Sequence, residues 1–228
     1  MNRRVLRRSG WPVGLLGACA TVLLGTGAGC GATEEQIKKA DGYYREGFAS
    51  LEADRQQAYV SFQKAVQENP NHRDAHYYIG HILANQRKYG PAEREFREVI
   101  RIDPDYSEAH TYLGVVLASQ DRWQEAIKEY RRALDNPLYP TPDVALYNLG
   151  QALAREGDMQ GAAQAFEDAL QVRPPNVQPA QLHLQLGIAY YRLGSNEKAR
   201  ESLRQVTALD KGGQFAADAE KWLRRLKP

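Results

Sequence analysis

Gly80, Gly114, Gly150 and Gly187 each follow an aliphatic residue (Ile79, Leu113, Leu149, Leu186), at successive spacings of 34, 36 and 37 residues. Twelve residues after each glycine stands an alanine (Ala92, Ala126, Ala162, Ala199), and four further on a bulky apolar residue (Phe96, Tyr130, Phe166, Leu203). In two units a proline, Pro104 or Pro174, follows 24 residues after the glycine. A period of this length is one supersecondary unit that cannot bury its apolar face alone, so copies must stack. Gly and Ala belong where two helices cross closely, and the bulky positions fill the space between neighbouring hairpins. Gly47, Ala58, Phe62, Ala65 and Pro70 fit an earlier, degraded copy with one residue missing from its turn. Pro70, Pro104 and Pro174 fall between units, where proline ends a helix without breaking one.

The pattern resembles the tetratricopeptide repeat, a helix-turn-helix unit. The resemblance implies an all-α, right-handed superhelix of about five repeats, over residues 34–71, 72–105, 106–141, 142–177 and 178–211. Residues 212–228 depart from the pattern. Phe215, Ala219, Trp222, Leu223 and Leu226 share one stripe, with Lys221, Arg224, Arg225 and Lys227 elsewhere. A stack must cover its last apolar face, so this helix is expected to be a cap; a basic helix facing a membrane is the alternative.

Ahead of the repeats, residues 1–29 read as an export signal, with a basic start and an uncharged apolar stretch from Trp11 to Gly29. Thr26-Gly27-Ala28-Gly29-Cys30 resembles the lipobox of bacterial lipoproteins, which implies acylation at Cys30 and a short tether over 30–33. Leu15-Leu16-Gly17-Ala18-Cys19 is the competing match; cleavage there would leave an apolar Ala20–Gly29 at the mature N-terminus, so Cys30 is favoured. An ordinary secretory signal without lipid is the third reading. Gly31, where retained inner-membrane lipoproteins carry Asp, points by the same resemblance to the outer membrane. With Cys30 acylated and Cys19 removed, no thiol is left for a disulfide or a cysteine metal site.

Composition narrows function further. Thirty Lys and Arg face 28 Asp and Glu, yet Arg3, Arg4, Arg7 and Arg8 lie in the leader, and without them 26 face 28. The surplus needed for a nucleic-acid footprint is therefore missing from the repeats. With 43% hydrophobic and 25% charged residues the chain suits a folded body and not a disordered one. The leader glycines do not lie between a strand and a helix, so no dinucleotide loop is expected. His76, His110 and His183 share one repeat position, four before the glycine, where a large packing side chain is usual. They should sit one unit apart, too far for a common metal. No catalytic constellation, metal, cofactor or small-molecule substrate is expected, and the chain reads as non-enzymatic.

A protein partner is expected instead, on the concave face formed by the first helix of each unit. Three before the glycine this face holds Tyr44, Tyr77, Thr111, Tyr147 and Leu184; one after, it holds Phe48, His81, Val115, Gln151 and Ile188, with Tyr191 a turn further on. The tyrosines fit either a ligand or a neighbouring repeat. The set by which chaperone-binding relatives grip a C-terminal carboxylate is absent from these positions. Between units three and four, Asn136-Pro137-Leu138-Tyr139-Pro140-Thr141-Pro142 holds three prolines, which forbid helix and display Leu138 and Tyr139; tucking into the hairpin seam is the alternative. This Leu-Tyr-Pro link inside a tetratricopeptide lipoprotein of this length resembles the type IV pilus pilotins. The resemblance implies a lipid-anchored outer-membrane factor that binds a secretin subunit and helps it assemble. A repeat lipoprotein of β-barrel insertion, or a general periplasmic adaptor, is the rival reading.

Overall fold

The computed structural model describes residues 32–226. The leader, Cys19 and the expected acylation site Cys30 lie outside the described residues. Among the described residues are eleven α-helices and no strand: α1 (Glu34–Ser50), α2 (Arg55–Glu68), α3 (Arg73–Asn85), α4 (Tyr89–Ile102), α5 (Ser107–Ala118), α6 (Trp123–Leu134), α7 (Pro142–Arg155), α8 (Met159–Gln171), α9 (Pro179–Arg192), α10 (Asn196–Leu209) and α11 (Gln214–Arg225). None of them is long and apolar enough to cross a membrane. The first ten pair as five antiparallel hairpins, and α11 packs on α9 and α10.

The entry to α1 is set by its own sequence. Thr33 Oγ1 accepts from the Gln36 N–H at 3.3 Å while Gln36 Oε1 accepts from the Thr33 N–H at 2.8 Å, a reciprocal cap that satisfies two otherwise orphaned donors. Asp54 and Asp158 cap α2 and α8 in the simpler way, and Pro142 and Pro179 open α7 and α9, where a missing N–H costs nothing.

Each periodic glycine sits against the bulky residue of its own hairpin. A Cβ at Gly47 would lie 2.8 Å from the Phe62 ring, at Gly80 3.0 Å from Phe96, at Gly114 2.5 Å from Tyr130, at Gly150 2.5 Å from Phe166 and at Gly187 2.7 Å from Leu203. Only glycine lets the two helices of a hairpin approach this closely. The ring thus held is covered from the next hairpin: Tyr78 stacks on Phe62 at 5.2 Å and Tyr112 on Phe96 at 6.0 Å. The tight turns between hairpin helices place the residue seven after the glycine in the left-handed region, as Arg87, Asp121, Gly157 and Gly194. The first unit, one residue shorter there, has Asp54 in extended backbone instead.

Two of the three equivalent histidines tie repeats together. His76 Nδ1 lies 2.6 Å from a Glu95 oxygen of α4 and its Nε2 3.0 Å from the Pro70 carbonyl, at the end of the preceding unit. His110 repeats the arrangement with Glu129 at 2.7 Å and the Pro104 carbonyl at 3.0 Å. Both partners of each ring are acceptors, so the imidazolium, with two N–H donors, satisfies the pair best. Burial pushes both rings down, but the carboxylate and carbonyl outweigh it and raise them above the ordinary histidine value. His183 has Ser202 where the others have a glutamate; its buried Nδ1 has no hydrogen-bond partner, and burial lowers it. The large packing side chain expected at this position is, in two units, a hydrogen-bonded clamp.

The cap is well seated. Ala216, Ala219 and Leu226 are buried, Phe215, Trp222 and Leu223 pack against the core, and Lys221, Arg224 and Arg225 are exposed.

Candidate functional site

The first helices touch in sequence, α3 with α5, α5 with α7 and α7 with α9, and two clefts open along the surface they make. The first cleft, of about 380 Å³, is walled by Tyr77, Tyr78, His81, Ile82 and Asn85 of α3, Tyr112 of α5, and Leu51, Glu52 and Arg55 at the first hairpin turn. Its aromatic rings form a continuous network. His81 lies 3.8 Å from Tyr112 and 4.7 Å from Tyr77, centroid to centroid, and Tyr77 reaches Phe96 and Tyr106. Burial pushes the His81 imidazole down to about 4, so it is neutral and works as an aromatic surface near pH 7. Burial likewise raises the Tyr77 phenol and pushes Tyr44 up to about 12. At the lip, Phe48 stands edge-on to Tyr78 at 5.7 Å and is 53% exposed. An exposed ring that continues an aromatic-lined cleft is apolar surface that a partner could cover.

The second cleft, of about 430 Å³, lies among α7, α9 and α11. Gln151, Arg155, Gln185, Ile188 and Arg192 line it from α7 and α9, Trp123 from the start of α6, and Trp222 from the cap. The Arg155 guanidinium lies over the Trp123 ring at 5.8 Å, Arg225 over Trp222 at 4.5 Å, and Tyr191 meets Trp222 at 5.2 Å.

The residues expected to contact a partner divide between these places. Tyr77 and His81 line the first cleft, with Tyr44 and Phe48 joined to it through Tyr78. Gln151 and Ile188 line the second, and Tyr191 backs it. Val115 and Tyr147 between them are half-buried, and the Tyr147 hydroxyl is taken by the Gln151 and Gln181 amides at 2.8 and 2.6 Å. Three expected contacts are closed. Thr111 is buried, with its hydroxyl satisfied by donating to the Ser107 carbonyl of its own helix, and Leu184 is buried among the core residues of the last repeats. Tyr139 is not displayed: it is 6% exposed, packs with Ala133 and Ala145, and its hydroxyl meets Thr111 Oγ1 at 2.9 Å. A phenol gains more from an apolar seam with one polar partner than from water. Leu138 beside it is 86% exposed, at the tip of the proline-bounded link.

Tyr78, Tyr112, Arg155, Gln185 and Arg192 were not foreseen. Tyr78, Tyr112 and Gln185 lie two before the glycine; Asn85, Arg155 and Arg192 lie five after it, one turn beyond the counted position. Following the same helix stripe that extra turn would have found the last three. Among the described residues no group of three or more His, Cys, Asp or Glu could hold a metal ion.

Two tetratricopeptide-repeat models match the sequence, one over 54–106 and 79–141 and the other over 143–212. The chain is a tetratricopeptide-repeat protein. Proteins of this fold are generally protein-interaction scaffolds and bind protein partners. Its repeats are 39% identical over 64 residues to the CTR9 homolog of Arabidopsis thaliana, a stretch that is 28% of this chain and 6% of that protein. Solved structures similar in fold include PilF of Pseudomonas aeruginosa (TM-score 0.67, 21% identity, 85% of this chain and 93% of that one). PilW, described as a type IV pilus biogenesis factor, gives 0.65 at 20% identity over 82% and 91%. MamA of Desulfovibrio magneticus gives 0.67 at 21% over 77% and 97%. At these identities the likeness is one of tetratricopeptide-repeat architecture.

Proposed function

We propose that this protein is a non-enzymatic, lipid-anchored outer-membrane factor that binds a secretin subunit of the type IV pilus and promotes its assembly. The observation that carries the reading is the exposed Phe48 ring on an aromatic cleft, in a scaffold of the kind that binds protein partners. Fold likeness extends equally to MamA, so the choice of the pilus rests on the leader, on Cys30 followed by Gly31, and on the Leu138 link. Phe48 and Leu138 are the two large apolar side chains that a partner would desolvate with most gain.

Deleting the gene tests the role. Loss of pili and of secretin multimers with general outer-membrane barrel proteins unchanged is expected; broad loss of barrel proteins would point to the rival assembly scaffold. Palmitate labelling tests the anchor. Incorporation should vanish in Cys30→Ser and persist in Cys19→Ser, and the reverse pattern would move the anchor to Cys19.

A further inference from the structure

Outside the leader the chain has two tryptophans, and both line the second cleft. The cleft also holds two arginines, Arg155 and Arg192, each in the last turn of a first helix, and no acidic residue in its lining. Several arginines elsewhere are paired with carboxylates, Arg73 with Asp103 at 2.7 Å, Arg101 with Glu98 at 2.7 Å and Arg122 with Glu93 at 2.8 Å. Arg155 and Arg192 make no such pair with any described carboxylate; Arg155 faces an indole instead.

We propose that this cleft binds an extended polypeptide segment carrying a glutamate or aspartate side chain beside an apolar or aromatic one. Each part of such a segment has a counterpart. Guanidinium forks take a carboxylate in two parallel N–H···O bonds, and the absence of a competing acid leaves both forks available. The parts of the Trp123 and Trp222 indoles that line the cleft supply apolar surface for the flanking side chain. Gln151 Nε2 is spent on the Tyr147 hydroxyl, which leaves its carbonyl oxygen for a backbone N–H, and Gln185 supplies a second amide. A phosphate or a lipid headgroup would use the arginines but neither the amides nor the indoles, so the set as a whole selects polypeptide. The two clefts then differ in chemistry: the first grips aromatic and aliphatic groups with a neutral His81, and the second adds recognition of negative charge.

This inference rests on the reading of the chain as a protein-binding scaffold. Its test uses the full chain carrying Trp11→Phe, so that Trp123 and Trp222 are the only indole fluorophores. Three capped heptapeptides are titrated, Ala-Leu-Glu-Phe-Glu-Leu-Ala and its counterparts with both Glu replaced by Gln or by Lys. The Glu peptide should shift the tryptophan emission and bind about ten-fold or more tighter than the Gln peptide, the scale of one charge-assisted contact; the Lys peptide should bind weakest. Arg155→Gln with Arg192→Gln should erase the preference for Glu without changing the melting temperature, while Arg155→Lys with Arg192→Lys should retain part of it. Equal affinities for the Glu and Gln peptides, a preference that survives both Gln substitutions, or no emission change up to millimolar peptide would overturn the assignment. So would inorganic phosphate or phosphatidylglycerol vesicles that reproduce the signal in the peptide's place. Normal capture of a secretin subunit alongside any of these results would sink the cleft assignment alone. Loss of both would sink the scaffold reading beneath it.

Discussion

A methyl group added at Gly114 would lie 2.5 Å from the Tyr130 ring, whereas one added at Gly42, on the exposed side of α1, meets nothing within 4 Å. Gly114→Ala should therefore destabilise by about 1–3 kcal/mol through overpacking, since the buried Tyr130 ring has little room to retreat. Gly42→Ala should stabilise by about 0.5–1 kcal/mol, because an exposed helix interior gains from losing glycine's backbone freedom. Urea denaturation of the two variants gives the sign of each effect directly. The turns offer a third case. Arg87 and Asp121 hold φ of 59° and 60°, where Gly157 and Gly194 stand in the later units. Arg87→Gly should raise stability by about 0.5–1 kcal/mol and Asp121→Gly by less, since a short polar side chain tolerates this conformation better. The close-approach glycines could be read from sequence because steric exclusion leaves one residue type and hence a period. The strained turn positions could not be read in the units where an ordinary residue stands in glycine's place.

Between elements, the imidazole clamps of α3 and α5 carry a pH dependence whose sign follows from their partners. Both rings are raised above the ordinary value of 6.5 by a glutamate and a backbone carbonyl. Their contribution is complete below the unfolded value and is lost as pH rises through the folded one. The stability difference between the parent and His76→Gln with His110→Gln should be largest near pH 6 and shrink toward pH 9; a difference that grows with pH would contradict the clamp. His183, lowered by burial, acts in the opposite sense but is common to both proteins and cancels in the comparison. The link between α6 and α7 shows where sequence reasoning stops. Pro137 and Pro140 announce a non-helical segment, Pro142, expected to forbid helix as well, instead opens α7 at its first turn, and Leu138 is exposed. That Tyr139 turns inward depends on a hydroxyl 28 residues earlier, which no local pattern encodes. Tyr139→Phe should cost about 0.5–1.5 kcal/mol of stability, the scale of one buried hydrogen bond, measured by thermal melt. Tyr139→Ala is then a stability variant and a poor probe of binding.

For the molecule as a whole, a repeat of 34 to 37 residues was enough to give the hairpin stack, because the period, the crossing glycines and the interdigitating rings all demand the same packing. The lining of the two candidate clefts was half legible. Counting one stripe of the first helices found Tyr77, His81, Gln151 and Ile188. It missed Trp123 and Trp222, which reach the second cleft from a second helix and from the cap, since sequence order does not say which later element will close a groove. The surface that emerges is aromatic toward the first repeats and cationic toward the last, with exposed Phe48 and Leu138 as its apolar outposts. Under the proposed function, the Phe48 lip of the aromatic cleft is the contact for the secretin subunit. The most direct test is the affinity of the purified subunit for the parent chain and for Phe48→Ala, with thermal melts in parallel. Phe48→Ala should weaken binding by about 2 kcal/mol, the cost of removing an anchor, while melting like the parent. Unchanged affinity in a variant that melts like the parent would contradict it.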